Sequence, residues 1–197
     1  MVKASELPLY SQALAFVGNS FLKPMTQTSS LGLMPEFWEE FPLFGNEQVE
    51  QAVLALFTFA QNDQDHAIDQ RAHETACEFT ELFVGPSLPA AAPWETTYDE
   101  GYQGTGFGQA TFEMRHLLRE AGLEVSGDFN QYADHIGIEL LYAATLCEQS
   151  PEKLPDFIEG RLLKWSGKLF TAIEKAKPEG FYARLGRLTT ALLECGC

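Results

Sequence analysis

Along most of the chain apolar residues recur every three or four positions, the spacing of helices that bury one stripe. Leu9, Ala13, Phe16, Val17 and Phe21 mark the first such helix, over residues 5–22, and Lys23-Pro24 ends it. Pro35 and Pro42 bracket a short aromatic stretch with Phe37, Trp38 and Phe41. Asn46 is placed to cap a third helix, whose inner side carries Val49, Val53, Leu54, Leu56 and Phe57. A fourth is predicted from about Asp63 to Phe83, with Ile68, Ala72, Ala76, Phe79 and Phe83 on or near one stripe. The spacing predicts further helices over 109–121, from Pro155 through Ile173, and over 181–194. The run Asp134 to Cys147 is apolar nearly all round, so it reads as a central buried helix. Strand-like alternation is absent throughout. The pattern predicts an all-α, single-domain helical bundle over 1–197.

One segment breaks the helical pattern. Residues 84–98 hold Pro86, Pro89 and Pro93, which exclude regular helix, together with Leu88, Trp94 and Tyr98, which make poor material for disorder. A long loop of that kind inside a small domain points to function. Gly101, Gly104, Gly106 and Gly108 follow it, and Gly122 and Gly127 bracket a second joint. Glycine spacing in the first joint includes Gly-x-Gly-x-Gly. No strand precedes it and no Lys-Ser/Thr follows, so it reads as joining chain rather than a phosphate loop.

Charge narrows the function classes. The 197 residues carry 28 acids against 13 Lys and Arg, a net charge of −15. Phosphate binding needs the opposite sign, which argues against nucleic acid, and the acidic excess suits basic partners or simply solubility, a solvated acidic surface being the plainer use of most of these charges. No apolar run is long enough for a membrane span. Lys3 is followed by Glu6 and Pro8 and not by an apolar run, so the start reads as an amphipathic helix rather than a secretory leader, and the expected location is cytoplasmic. Cys77, Cys147, Cys195 and Cys197 include no Cys-x-x-Cys pair and are expected to be incidental thiols in a reducing compartment.

Searches for catalytic motifs find no Gly-x-Ser-x-Gly, no His-Glu-x-x-His and no Walker loop. The densest polar group is Asp134, His135 and Glu139. Two readings compete for it. His135 and Glu139 stand one helical turn apart, so with Asp134 they offer a His/carboxylate set for a metal-dependent hydrolase. The plain reading makes Asp134 an acid at a helix start, His135 a hydrogen-bonded structural histidine, and Glu139 solvated or paired with an arginine.

Two segments together carry a family resemblance. Leu82-Phe83-Val84-Gly85-Pro86, then Pro89, Ala92-Pro93-Trp94-Glu95 and Tyr98, resembles the Pro-Trp loop of the TorD/DmsD redox-enzyme maturation chaperones. Gln131-Tyr132-Ala133-Asp134-His135 resembles the same family's Asp-His signature, at the expected distance downstream. Leu163-Lys164-Trp165-Ser166, Phe170 and the stretch Phe181 to Gly186 agree more loosely. The likeness spans about residues 75–195. It implies two halves, approximately 1–125 and 126–197, joined at a hinge where both motifs lie. It implies no enzymatic activity and no cofactor. It implies a partner, the twin-arginine signal peptide and catalytic subunit of a DMSO or TMAO reductase-like molybdoenzyme, held until its cofactor is inserted and export can proceed. The family's binding positions fall on Phe79, Leu82, Phe83, Pro93, Trp94, Asp134 and His135, with Tyr98 and Gln131 beside them. GTP is a further ligand associated with the family, for which no phosphate-loop motif exists here. Members also exchange halves between chains, and the joints at 101–108 and 122–127 leave both monomer and domain-swapped dimer open. Two positions depart from the pattern. Tyr132 stands where the signature has proline, and Glu95 where family members often carry a small residue.

The chemistry is consistent with that partner. A twin-arginine leader offers a basic head and an apolar body. Phe79, Leu82, Phe83 and Trp94 read either as a groove for the body or as ordinary core, and Asp134 as an acid that steers the arginines.

Overall fold

The fold is taken from a computed structural model, which describes residues 2–62, 66–85, 89–101, 107–125 and 131–196. Helices α1 (Leu7–Leu22), α2 (Pro35–Glu39), α3 (Glu47–Asn62) and α4 (Ile68–Phe79) precede the Pro-rich loop. Helices α5 (Gln109–Glu120), α6 (Ile136–Gln149), α7 (Leu154–Phe157), α8 (Leu163–Ala176) and α9 (Phe181–Gly196) follow it. Among the described residues there is no strand, only a single isolated bridge between Trp94 and His135. The all-α expectation therefore holds. The helix start expected near Asp63 lies outside the described residues, as do Pro86, Leu88, Gly104, Gly106, Gly127 and Cys197.

The local signals act as their chemistry requires. Lys23, extended before Pro24, stops α1. The Asn46 side chain accepts the Val49 N–H at 3.1 Å and caps α3. Pro35 sits at the first position of α2, where its missing N–H costs nothing. Helix α4 closes in a π turn over Thr80–Val84 and leaves through Gly85, whose φ of 60° suits glycine.

The deepest packing is between α1 and α6. The Cα of Gly18 faces the backbone of Gly137, which lets the two helices approach closely. Ser11 donates to the Ala144 carbonyl at 3.0 Å, and Tyr10 donates to the Leu192 carbonyl of α9 at 2.8 Å. Helix α6 is buried along Ile136, Ile138, Leu140, Ala143 and Leu146, as its uninterrupted apolar run predicts. Phe21, Phe79, Phe83 and Tyr182 form one aromatic cluster with ring centroids 5.1–6.0 Å apart. Glu78 of α4 accepts the N–H groups of Phe181 and Tyr182 at 3.0 and 2.9 Å, so a carboxylate satisfies the free donors at the start of α9. Cys147 and Cys195 are buried and Cys77 is exposed, all as free thiols. Among the described residues no helix is long and apolar enough to cross a membrane.

Candidate functional site

The Pro-Trp loop and the Asp-His segment are joined backbone to backbone. The Ile136 N–H donates to the Pro93 carbonyl at 2.8 Å, and the Glu95 N–H donates to the Asp134 carbonyl at 2.9 Å. This pair of bonds pins the loop to the entrance of α6, and Glu95–Tyr98 then turns as a short 3-10 helix. Two motifs about forty residues apart in sequence thus become one structural unit.

Asp134 locks that unit rather than facing solvent. Its side chain is fully buried, with one carboxylate oxygen accepting the Thr96 N–H at 3.0 Å and the other the Thr111 hydroxyl at 2.8 Å. It therefore ties the loop to α5 and does not satisfy the start of its own helix. That cap belongs to His135, whose Nδ1 accepts the Gly137 N–H at 3.0 Å. The arrangement requires a neutral ring with its proton on Nε2, and burial pushes the His135 pKa down to about 3. The proton on Nε2 follows from the hydrogen bond at Nδ1.

Glu139 is also fully buried and, of the two plain expectations for it, pairs with an arginine instead of facing solvent. One oxygen accepts Arg161 Nε at 3.0 Å and the other accepts Trp165 Nε1 at 3.0 Å. Arg161 also pairs with Glu95 of the loop, with Glu113 of α5 at 3.4 Å, and donates to the Ala110 carbonyl at 2.9 Å. Tyr98 stacks on Trp165 with centroids 5.7 Å apart, and burial raises its pKa to about 12. Burial likewise pushes Glu139 well above the usual carboxylate range and Glu95 above it, with Arg161 opposing both. Arg161 lies in a π turn, Ile158–Leu162, that joins α7 to α8.

These contacts argue against the hydrolase reading. Asp134 and His135 spend their acceptors on the loop, α5 and the helix cap, and Glu139 spends its own on Arg161 and Trp165. Among the described residues no group of three His, Cys, Asp or Glu side chains could hold a metal ion. The expectation that His135 and Glu139 line one helical face also needs correcting. His135 has extended backbone angles outside the helix, because its ring folds back to cap it.

The remaining positions divide into two sets. Phe79, Leu82 and Phe83 are shut in the aromatic core, with at most 7% of their surface exposed. Pro93 is buried against α6, whereas Trp94, Tyr98, Gln131 and Tyr132 are half-buried. Trp94 meets His135 and Tyr132 edge to face at 6.0 and 6.3 Å. Tyr132, the residue in place of the signature proline, also packs on Phe107, which meets Phe112. Phe107 and Phe112 are about half exposed. Together these rings form an aromatic ledge that continues into a cavity of roughly 650 Å³ lined by Phe112, Leu118, Leu123, Gln131 and Tyr132. Trp94 Nε1 is shielded from solvent and has no acceptor among the described residues. Sequence reasoning missed Thr96, Thr111, Arg161, Phe107 and Phe112. The charge of Glu95 and the expectation of an arginine partner for Glu139 were the signals available for the network.

Asp134→Ala is expected to leave the Thr96 N–H buried without an acceptor and the Thr111 hydroxyl with only the longer contact to Thr96 Oγ1 at 3.4 Å, at about 2–3 kcal/mol of stability. Urea unfolding and hydrogen exchange at the Thr96 amide check this. Exchange there should quicken at least about tenfold, following the loss of one strong bond. An unchanged Thr96 rate would remove Asp134 from its locking role.

Comparison with known proteins follows the same segments. Residues 46–171 match a family model described as nitrate reductase delta subunit. The chain is 29% identical over 128 residues to the chaperone protein TorD of Shewanella pealeana, covering 61% of this chain and 58% of that protein. It is 30% identical over 136 residues to the chaperone protein TorD of Escherichia coli K12, covering 64% of each. It is 27% identical over 117 residues to the probable Tat proofreading chaperone DmsD of Haemophilus influenzae, covering 59% and 57%. The matched stretch spans about six tenths of the length of these curated relatives.

Proposed function

This chain belongs to the nitrate reductase delta subunit family, with TorD and DmsD chaperones among its relatives, and from that premise we propose that it is a chaperone for a twin-arginine leader. In this reading it works in the cytoplasm. It holds the leader and precursor of a DMSO or TMAO reductase-like molybdoenzyme until the cofactor is in place, and so delays export. The relatives it matches are named as chaperones and not as enzymes.

One observation carries the reading: the aromatic ledge lies beside an excess of carboxylates. Glu95, Asp99, Glu113, Asp134 and Glu139 act on one another electrostatically with Arg161 and Lys168 opposing them, while Arg115 and Arg119 line the neighbouring cavity. Asp99 and Glu113 are exposed. Burial first and the neighbouring Asp134 charge second raise the Asp99 pKa, with Arg161 and Lys168 opposing, so added positive charge beside it would favour the carboxylate. An incoming guanidinium supplies that charge, with forked donors suited to carboxylates. Trp94, Tyr98, Tyr132 and Gln131 offer stacking and hydrogen bonds beside it. Asp134 and His135 act through position, by holding Trp94 and Glu95 in place. Phe79, Leu82 and Phe83 lie in the core, and the Leu82 carbonyl accepts the Ala91 N–H of the loop at 2.8 Å.

The test is calorimetric titration with twin-arginine leader peptides from the host's own molybdoenzymes. Saturable binding is expected. Trp94→Ala is expected to weaken it about tenfold or more, as loss of an aromatic anchor does, with the helical circular dichroism unchanged. Absence of binding to every such leader would overturn the reading.

A further inference from the structure

Helix α5 carries charge of both signs on different faces. Glu113 turns toward Arg161, whereas Phe112, Arg115 and Arg119, three and four residues apart, share one stripe. That stripe lines the cavity of roughly 650 Å³ beside Tyr132, together with Leu118, Leu123 and Val125. Clefts of that size, largely apolar with a few convergent polar groups, are the usual form of a ligand site. An arginine head is repelled by Arg115 and Arg119, so the cavity calls for an occupant of its own.

Pairing decides the charge of that occupant. Among the described residues neither Arg115 nor Arg119 has a carboxylate partner, whereas Arg161, Arg184 and Arg187 each pair with a glutamate. The chain has 28 acids, so two guanidinium groups without one stand out. The acids nearest them in sequence are engaged elsewhere, Glu113 with Arg161 and Glu120 with His116, both at 3.4 Å. Arg119 donates from Nε to the Arg115 carbonyl at 3.3 Å and keeps its terminal nitrogens free of a printed-range acid. Glu124 is exposed and also lines the cavity, but it bonds neither arginine. Two open guanidinium forks therefore face the cavity against one carboxylate, and they suit carboxylates on a ligand.

Spacing decides its form. Four residues of helix set Arg115 and Arg119 about 6 Å apart along the axis. Alternate residues of an extended chain stand about 6.7 Å apart and point the same way, while the residue between them points the other way. An extended segment of the pattern acid–apolar–acid thus aims both carboxylates at α5. Its middle side chain then meets the apolar wall of Leu123, Val125 and Tyr132.

We propose that this cavity docks an extended acid–apolar–acid segment of a partner protein. The proposal goes beyond the leader-binding reading and does not depend on it, because it uses charges of the opposite sign.

Nuclear magnetic resonance titration with two end-blocked peptides tests it: Leu-Glu-Phe-Glu-Leu, and Leu-Gln-Phe-Gln-Leu as the neutral control. The full chain is expected to bind the acidic peptide saturably, shifting the Arg115 and Arg119 Nε–H signals and the Tyr132 amide. The neutral peptide is expected to bind about tenfold more weakly, having lost two charge-assisted pairs. R115Q/R119Q, at two exposed positions, is expected to weaken the acidic peptide by a similar factor. Raised salt should weaken the acidic peptide and spare the neutral one, a check that needs no variant. Absence of saturation by the acidic peptide, or shifts confined to other surfaces, would overturn the proposal. So would equal binding of the two peptides, or full affinity in a folded R115Q/R119Q chain. Isophthalate offers two carboxylates without a peptide; if it binds as tightly as the acidic peptide, the cavity is a small-anion site and the partner assignment fails. A concentration-dependent dimer in sedimentation that R115Q/R119Q dissolves would make a second copy the occupant and overturn it likewise. Each of these failures leaves the leader reading standing, since the leader titration with Trp94→Ala reads a different surface.

Discussion

Arg161→Met is expected to cost about 3–5 kcal/mol of stability at neutral pH, the usual penalty for removing one partner of a buried ion pair. Methionine keeps most of the apolar stem, so the loss reports charge rather than packing. Glu139 is fully buried, and Arg161 favours its charged form most strongly, ahead of the Trp165 indole. In the folded chain burial already raises Glu139 above the usual carboxylate range. A carboxyl whose folded pKa is raised binds more protons folded than unfolded across the window between the two values. Its contribution to stability is therefore present below the unfolded value and lost as pH rises through the folded one. Without Arg161 that window widens upward. The penalty of Arg161→Met should then be larger at pH 8 than at pH 5, where Glu139 takes up a proton and needs no cation. Urea unfolding at both pH values measures it. E139Q in the R161M background is expected to recover much of the loss and to flatten the pH dependence. An equal loss at both pH values would show that Arg161 acts through packing instead.

The same network shows where sequence patterns stop. Helix α6 was legible because an apolar run with no polar face has only one place to go. The capping role of Asn46 and the stop at Pro24 were legible because they depend on residues within one turn. Arg161 was not, because its partners Glu95, Glu113 and Glu139 come from three separate elements and no spacing links them. Asp134 was legible as important but not in its direction. A carboxylate before a helix satisfies either its own helix or a neighbouring loop, and only the fold supplies Thr96 and Thr111. Periodicity likewise leaves Phe79, Leu82 and Phe83 undecided, since a core stripe and a groove stripe have the same spacing. In the structure they pack against Phe21 and Tyr182 and are closed to solvent. Open apolar surface lies instead on Phe107 and Phe112 and, in the first third of the chain, on Leu9, Leu31 and Met34, where the family likeness read from sequence amounts only to helical texture.

Gly137→Ala is expected to destabilise the chain by about 2–3 kcal/mol, the upper part of the range for overfilling a packed interior. A β-carbon there would meet the Gly18 carbonyl oxygen and Leu22 Cγ, both at 2.5 Å. The first of these is backbone, so relief requires α1 and α6 to part. Gly18→Ala is the milder change, with the Gly137 carbonyl at 2.9 Å and the nearest side-chain atoms at 3.2 and 3.3 Å. Gly167→Ala in α8 provides the opposite sign. Nothing lies within 4 Å of its β-carbon, so only the helix preference for alanine remains, about 0.5–1 kcal/mol of stabilisation. Thermal unfolding of the three variants should order them with Gly137→Ala lowest and Gly167→Ala above wild type. The consequence reaches the candidate site, because Gly137 directly follows the residue whose N–H holds Pro93. Shifting the start of α6 pulls on the bonds that fix Trp94 and Glu95. Gly137→Ala should thus speed amide exchange at Glu95 and Ile136 under conditions where the chain is still folded. If those amides exchange as in wild type, the helix crossing and the Pro-Trp loop are independent.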